Sequence, residues 1–142
     1  MNRNARMLFG GAIIFCLSLV GSSAFAASAL STAQQKLITG QIAKLPSSEE
    51  REMASGWTDA KKVAEFICRP LALRELKKWN KQADRVFLGT DDPSTLALKS
   101  NQQLSGSGQV RTGSDWTDFT FTCGLDAGTG KARSFKTSLS RK

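Results

Sequence analysis

The chain has 142 residues, and its 20 basic and 12 acidic side chains give a formal net charge of +8 at pH 7. Histidine and tyrosine are both absent, which excludes Ser-His and Cys-His nucleophile pairs and zinc sites that need an imidazole ligand. We therefore expect a protein that is not an enzyme and that carries no metal or other cofactor. The basic surplus favours an anionic partner, although the same surplus also keeps a protein in solution.

The first 26 residues have the pattern of a secretory signal peptide. Two arginines give a basic start, residues 7–20 form an apolar run, and a small-residue signature places the cleavage between Ala26 and Ala27. The apolar run is shorter than the roughly 18 to 20 residues of a spanning helix, so cleavage is favoured over an uncleaved anchor or a lipid-modified N-terminus. Removal of 26 of the 142 residues would leave a periplasmic or secreted domain of 116 residues.

Cleavage would also change an odd number of cysteines into a pair, because Cys16 lies in the leader while Cys68 and Cys123 do not. Exported proteins meet an oxidising environment, in which two such thiols form a disulfide. We expect this bond to join a helical half of the domain to a sheet. A free, redox-active pair is the alternative.

Two helices are predicted before residue 57. Residues 31–45 carry apolar side chains at intervals of three to five, which fit one face of a helix. Ser47 and Glu50 have the spacing of a capping box, which predicts a short helix that runs to about Ser55 and is closed by Gly56.

A further helix is predicted after Thr58, whose hydroxyl can cap it and whose apolar stripe leads to Cys68. Pro70 lacks an N–H and disfavours helical angles at the residue before it. We therefore expect Pro70 to end this helix and to begin another, which should run to about Asn80. The first half of the exported chain is thus predicted to be helical.

After Ala83 the composition changes from Lys, Glu and Leu to Gly, Thr, Ser and aromatic residues, which indicates a sheet. The clearest strand is residues 117–123, where Phe119, Phe121 and Cys123 share one face. Residues 133–139 have matching alternation, and the glycine-rich stretch between the two predicts an antiparallel hairpin. Weaker strand patterns cover residues 85–88, 96–98 and 103–111.

Gly106 and Gly108 interrupt the last of these patterns, in the run Ser105-Gly106-Ser107-Gly108. Glycine within a strand indicates a bulge or a close approach by another segment. A glycine-rich loop can also present backbone N–H groups to an anion, but this run lacks the Gly-Lys-Ser/Thr ending of a phosphate loop. The structural interpretation is favoured.

Two places supply the candidate binding residues. The first is the predicted helix after Pro70, where Arg74, Lys77 and Lys78 precede Trp79. Basic residues beside an aromatic ring can bind phosphate or sugar-phosphate groups. Acidic neighbours in the same helix allow the alternative that this is an ordinary solvated helix face.

The second place is the glycine-rich strand pattern, which ends at Arg111, together with Trp116 after it. Trp116 has the opposite strand parity to Phe119 and Phe121, so it should lie off the core face. An exposed tryptophan can stack on a sugar ring. The alternative is burial of Trp116 at the strand end, under a helix.

The order of residues in the second half resembles a known family. A cysteine in a helix is followed by Ala83-Asp84-Arg85-Val86, the run from Leu104 to Arg111, Trp116, Phe119-Thr120-Phe121-Thr122-Cys123 and Ser134-Phe135. Across residues 57–139 this order is similar to the domain of unknown function 930 family, small exported proteins of Gram-negative bacteria. The resemblance implies export and brings no catalytic residues with it. Thr117 stands where that family often has an aromatic residue.

Together these patterns predict an α+β domain in which two to four helices pack on a small antiparallel sheet, with one disulfide. Residues 1–26 are assigned to the leader, 27–56 to an N-terminal helical segment and 57–142 to the α+β domain. The expected function is non-catalytic binding of an anionic envelope polymer, a lipid headgroup or a glycan. Nucleic acid is the least expected anionic partner for an exported protein, and an inhibitor or assembly factor that contacts another envelope protein is the alternative.

Overall fold

The computed structural model describes residues 29–140, and the predicted signal peptide with its cleavage site lies outside them. Within these residues three helical segments precede five β-strands, and the helices cover one face of the antiparallel sheet. The predicted α+β fold is therefore confirmed. In this part of the chain no helix has the length and apolarity needed to cross a membrane.

The helices are α1 (Thr32–Ile42), α2 (Ser48–Ser55), α3 (Asp59–Val63) and α4 (Arg69–Trp79), with a π-helical turn (Ala64–Cys68) between the last two. The predicted caps of α2 and α3 are confirmed. Ser47 and Glu50 form a capping box, and Gly56 closes α2. Thr58 Oγ1 accepts a hydrogen bond from Lys61 N at 3.2 Å, which caps α3.

Helix α1 begins with a second capping box, in which the side chains of Ser31 and Gln34 each accept a hydrogen bond from the other's backbone N–H. The helix ends at Ile42 instead of the predicted residue 45. Leu45 N donates to Ile42 O at 3.0 Å, a tighter turn than that of an α-helix. Pro46 explains this end, because it disfavours the helical conformation at the residue before it.

Pro70 does not interrupt the helix, and this prediction was wrong. Arg69 keeps helical angles of φ −56° and ψ −41°, so residues 59–79 form one continuous helical segment. The reason lies in the π-helical turn before Pro70, where Arg69 N donates to the Ala64 carbonyl five residues back. The wider turn gives the proline ring the space it needs. The missing N–H of Pro70 is therefore accommodated by hydrogen bonds that span five residues, and the helix continues.

The strands are β1 (Ala83–Leu88), β2 (Leu96–Ser100), β3 (Gln103–Thr112), β4 (Asp115–Leu125) and β5 (Ala132–Leu139). All pairings are antiparallel, and the order across the sheet is β1, β3, β4, β5, with β2 also paired to β3. The predicted hairpin is confirmed, since Cys123 pairs with Phe135 and Phe119 pairs with Leu139.

Gly106 and Gly108 are sites of close approach in the middle of β3, one of the two structural interpretations of the sequence. A Cβ on Gly108 would lie 2.6 Å from the Phe87 carbonyl oxygen and 2.7 Å from the Phe119 ring. A Cβ on Gly106 would collide with the Thr95 carbonyl oxygen. The missing side chains therefore allow the edge strands and the Phe119 ring to reach their places on the core side.

The core lies between the helices and the inner face of the sheet, and the predicted disulfide crosses it. Cys68 and Cys123 are bonded, with a Cα separation of 6.2 Å, and both are fully buried. Helix α1 contributes Ile38 to the same core. The buried side chain of Gln34 also ties α1 to the sheet, because its Nε2 donates to Asn101 O at 2.7 Å.

Candidate functional site

The outer face is the side of the sheet opposite the helices. In β4 it carries Trp116, because Phe119 and Phe121 on the alternate parity are buried in the core. The antiparallel register places Arg111 of β3 directly opposite Trp116. The structure thus brings together two of the residues that the sequence singled out.

Phe87 of β1 joins them, although it was not among the predicted binding residues. The Phe87 and Trp116 rings stack with their centres 5.3 Å apart and 17° between their planes. The Arg111 guanidinium carbon lies 5.8 Å from the centre of the Trp116 ring, within the range of a cation–π contact. The signal for Phe87 was present in the sequence, because Val86 and Leu88 point inward and alternation turns Phe87 outward.

Arg111 also forms a bidentate ion pair with Asp84. Arg111 Nε lies 3.0 Å from Asp84 Oδ1, and Nη2 lies 2.6 Å from Oδ2. The hydrogen bonds from Arg111, and then its positive charge, hold the pKa of the Asp84 carboxyl below its usual value. Asp84, Phe87, Arg111 and Trp116 together are the outer-face cluster. Its one cation and one anion neutralise each other.

The α4 surface consists of Arg74, Lys77, Lys78 and Trp79, all of them exposed. By helical spacing the three cations lie opposite the buried Ala72 and Leu76, whereas Trp79, the last helical residue, lies nearer the buried side. Trp79 keeps 52% of its surface accessible. Lys78 Nζ lies 2.8 Å from Glu75 Oε2, but within residues 29–140 no salt bridge involves Arg74 or Lys77. One of the three cations is therefore neutralised and two are available to a ligand.

The structure does not bring these two groups together. Helix α4 packs against the inner side of β1, whereas Arg111 and Trp116 lie on the outer face. Among the described residues, no ring pair or cation–π contact involves Trp79. The α4 surface and the outer-face cluster are thus two separate surfaces.

The glycine-rich run is part of a central strand and does not form a loop. Gly106 pairs with Leu96 and Phe121, and Gly108 pairs with Leu88 and Phe119. Backbone groups in a sheet interior are already hydrogen-bonded, so they are not free to bind an anion.

In the part of the chain that the structure covers, no group of three or more Cys, Asp or Glu side chains is placed to hold a metal ion. Comparison with known protein families, with curated proteins and with solved structures finds no match for this chain. The function is therefore argued from the geometry of the two surfaces.

Proposed function

We propose that the protein is a non-catalytic, exported binding module that attaches to an anionic partner in the cell envelope through the α4 surface. The observation that carries the proposal is the pair of exposed cations Arg74 and Lys77, which lie three residues apart on one side of α4 and have no salt bridge within residues 29–140. Trp79, 52% exposed at the end of the same helix, adds an apolar side chain to this surface. Such a ring can anchor at the boundary between water and a phosphate-bearing surface.

The outer-face cluster supports this function less well. The charge of Arg111 is balanced by Asp84, and one face of the Trp116 ring is covered by Phe87. A ligand would have to compete with these internal contacts. At the α4 surface, by contrast, a ligand replaces only water around Arg74 and Lys77.

Export to the periplasm is part of the proposal. The buried Cys68–Cys123 disulfide is compatible with an oxidising compartment. We also propose membership of the domain of unknown function 930 family, and such membership would agree with this location, since that family consists of small exported proteins.

The test measures binding of residues 27–142 to two probes. One is a vesicle of phosphatidylglycerol and phosphatidylcholine, with pure phosphatidylcholine vesicles as its control, and the other is soluble polyphosphate. We expect binding to the anionic probe that falls as salt is added, because exposed charges are screened. A preference for vesicles would identify a lipid headgroup as the partner, and a preference for polyphosphate would identify a soluble polymer.

The decisive variant is the double substitution Arg74→Gln and Lys77→Gln. Each cation near an anionic surface contributes about 1 kcal/mol, so the two together should cost roughly 30-fold in affinity. The matched control is Lys36→Gln with Lys44→Gln, which removes the same charge from exposed positions on and just after α1. Equal losses in both double variants, or binding that does not change with salt, would contradict the proposal.

A further inference from the structure

Strands β1 and β2 occupy the same edge of β3, and the chain leaves that edge between them. Leu88 pairs with Gly108 and Leu96 pairs with Gly106, so the seven residues 89–95 stand opposite the single residue Ser107. An ordinary β-bulge inserts one extra residue. Residues 89–95, here the β1–β2 loop, form a connection that is much longer than a bulge between two strands paired to neighbouring positions of β3.

This loop is held in one shape by its own hydrogen bonds. Thr90 N donates to Thr95 Oγ1 at 2.9 Å, and Thr95 Oγ1 in turn donates to the Asp92 carbonyl at 2.7 Å. Asp92 Oδ1 accepts from Ser94 N at 2.8 Å. At the base of the loop, Gly89 N donates to Ser107 O at 2.8 Å. The loop therefore has a defined conformation, and it forms one wall of the cavity described next.

Trp57 stands opposite this wall, between α2 and α3. Its ring stacks on Phe66 of the π-helical turn, with the ring centres 5.9 Å apart, and this contact fixes its orientation. Lys61 Nζ lies 5.8 Å from the centre of the Trp57 ring and 2.8 Å from Glu65 Oε1. Trp57 and the β1–β2 loop flank an open cavity of about 280 Å³, here the Trp57 pocket, whose lining includes Pro93 of the loop and Leu96 of β2.

The charges around the Trp57 pocket restrict what can bind there. Asp91 and Asp92 line one side, and Lys61, whose ammonium group is paired with Glu65, lines the other. An anionic ligand would meet the two carboxylates, and a cationic ligand packed on the indole ring would meet the ammonium group of Lys61, which already lies over that ring. A neutral ligand with several hydroxyl groups can donate to the carboxylates and accept from the ammonium group.

The apolar walls agree with such a ligand. The C–H groups of a sugar ring form an apolar face, which can pack on the part of the Trp57 indole that Phe66 and Lys61 leave accessible, while the hydroxyls point to polar groups. The Trp57 pocket is slightly smaller than the roughly 300 Å³ at the lower end of ligand sites, so it has room for a single ring. The hydrogen bond from Ser94 N lowers the pKa of Asp92, which keeps that carboxylate ionised as an acceptor.

We infer that the Trp57 pocket is a binding site for one neutral sugar ring. The inference is independent of the α4 surface, because it uses none of the residues of that surface. The protein would then have two contacts with the cell envelope, one with an anionic surface and one with a neutral sugar unit.

The test follows the three indole N–H resonances of the ¹⁵N-labelled protein, which belong to Trp57, Trp79 and Trp116. The probes are glucose and N-acetylglucosamine, with glucosamine as the cationic analogue and glucuronic acid as the anionic one. We expect at least one neutral sugar to shift the Trp57 resonance saturably in the millimolar range, while Trp79 and Trp116 stay in place. The charged analogues should bind about tenfold more weakly. The variant Trp57→Phe, which lacks this indole N–H, identifies the Trp57 resonance by its disappearance.

The matched variants are Asp91→Asn, which changes the pocket, and Asp115→Asn, which changes an exposed carboxylate elsewhere. Asp91→Asn should weaken sugar binding about tenfold, and Asp115→Asn should leave it unchanged. Both positions are exposed, so neither variant threatens the fold. A Trp57 resonance that does not respond to either neutral sugar, or that responds equally to the charged analogues, would overturn the inference. Because this readout does not depend on Arg74 or Lys77, it can fail while the proposed function stands.

Discussion

The outer-face cluster and the α4 surface contain similar side chains, but these differ in how many partners they contact within the protein. Each contains a tryptophan and at least one basic residue. Arg111 is paired with Asp84 and Trp116 stacks on Phe87, whereas Trp79 is 52% exposed and has no ring contact within residues 29–140. The difference comes from neighbouring strands. A side chain in the middle of a sheet has neighbours on both sides, but one at the end of a surface helix has few. Similar composition therefore gives a self-contained cluster in one place and an available surface in the other.

The largest effect is expected from removing the disulfide that joins the helices, which carry the α4 surface, to the sheet, which carries the outer-face cluster. Replacing Cys68 and Cys123 by alanine opens a loop of sequence separation 55, and the chain-entropy model predicts a loss of about 4 kcal/mol in the free energy of unfolding. Urea denaturation of the oxidised wild type and of the double variant measures this loss. Reduced wild-type protein is the control and should match the double variant. Equal stability of all three would show that the disulfide has no part in holding the layers together.

The next largest effect is expected from replacing glycine by alanine, which should destabilise the sheet but stabilise a helix. Gly108→Ala places a Cβ against the Phe87 carbonyl and the Phe119 ring, so we expect a loss of about 1–3 kcal/mol. Gly40→Ala in α1 meets no atom within 4 Å and should stabilise the protein by about 0.5–1 kcal/mol, because alanine favours a helix. Thermal unfolding of both variants tests the pair. A Gly108→Ala variant as stable as the wild type would disagree with the packing described for β3, and a destabilised Gly40→Ala variant would disagree with the open space described at α1.

A double-mutant cycle on Phe87 and Trp116 tests whether the side chains of the outer-face cluster stabilise one another. The single variants Phe87→Ala and Trp116→Ala, together with their combination, should give a coupling energy of about 0.5–1.5 kcal/mol for the stacked rings. Trp79→Ala should change stability by less than about 0.5 kcal/mol, because no ring contact within residues 29–140 involves it. A larger cost at Trp79 than at Trp116 would reverse the assignment of the two regions.

The smallest expected effect is the pH dependence contributed by Asp84. Its pKa is lowered in the folded protein by the hydrogen bonds from Arg111, so its contribution to stability is present above the unfolded pKa of about 3.9 and is lost as the pH falls through the folded value. Asp84→Asn should therefore lower stability at neutral pH and flatten its decline in acid. Unfolding midpoints measured at neutral pH and below about pH 4 check this, with Asp115→Asn as the exposed control. A decline as steep as in the wild type would argue against the Arg111–Asp84 pair.

Much of the local structure could be read from short-range patterns. The capping residues Ser47 and Thr58 and the alternation around Phe119 each depend on neighbours a few positions away. Pro70 was read wrongly because the local residue pattern does not indicate the π-helical turn before it, in which Cys68 is buried in the core. Phe87 was missed as a partner of Trp116 for a related reason, since the two lie on strands separated by β3.

The sequence by itself determined the α+β class, the hairpin between β4 and β5 and the pairing of Cys68 with Cys123, because periodicity, capping and cysteine number are local or countable properties. Only the tertiary structure decided that Arg111 is neutralised while Arg74 has no salt bridge within residues 29–140, and that residues 89–95 face Trp57 across a cavity. These are relations between segments distant in the chain. They depend on strand order and register, which residue patterns constrain but do not specify.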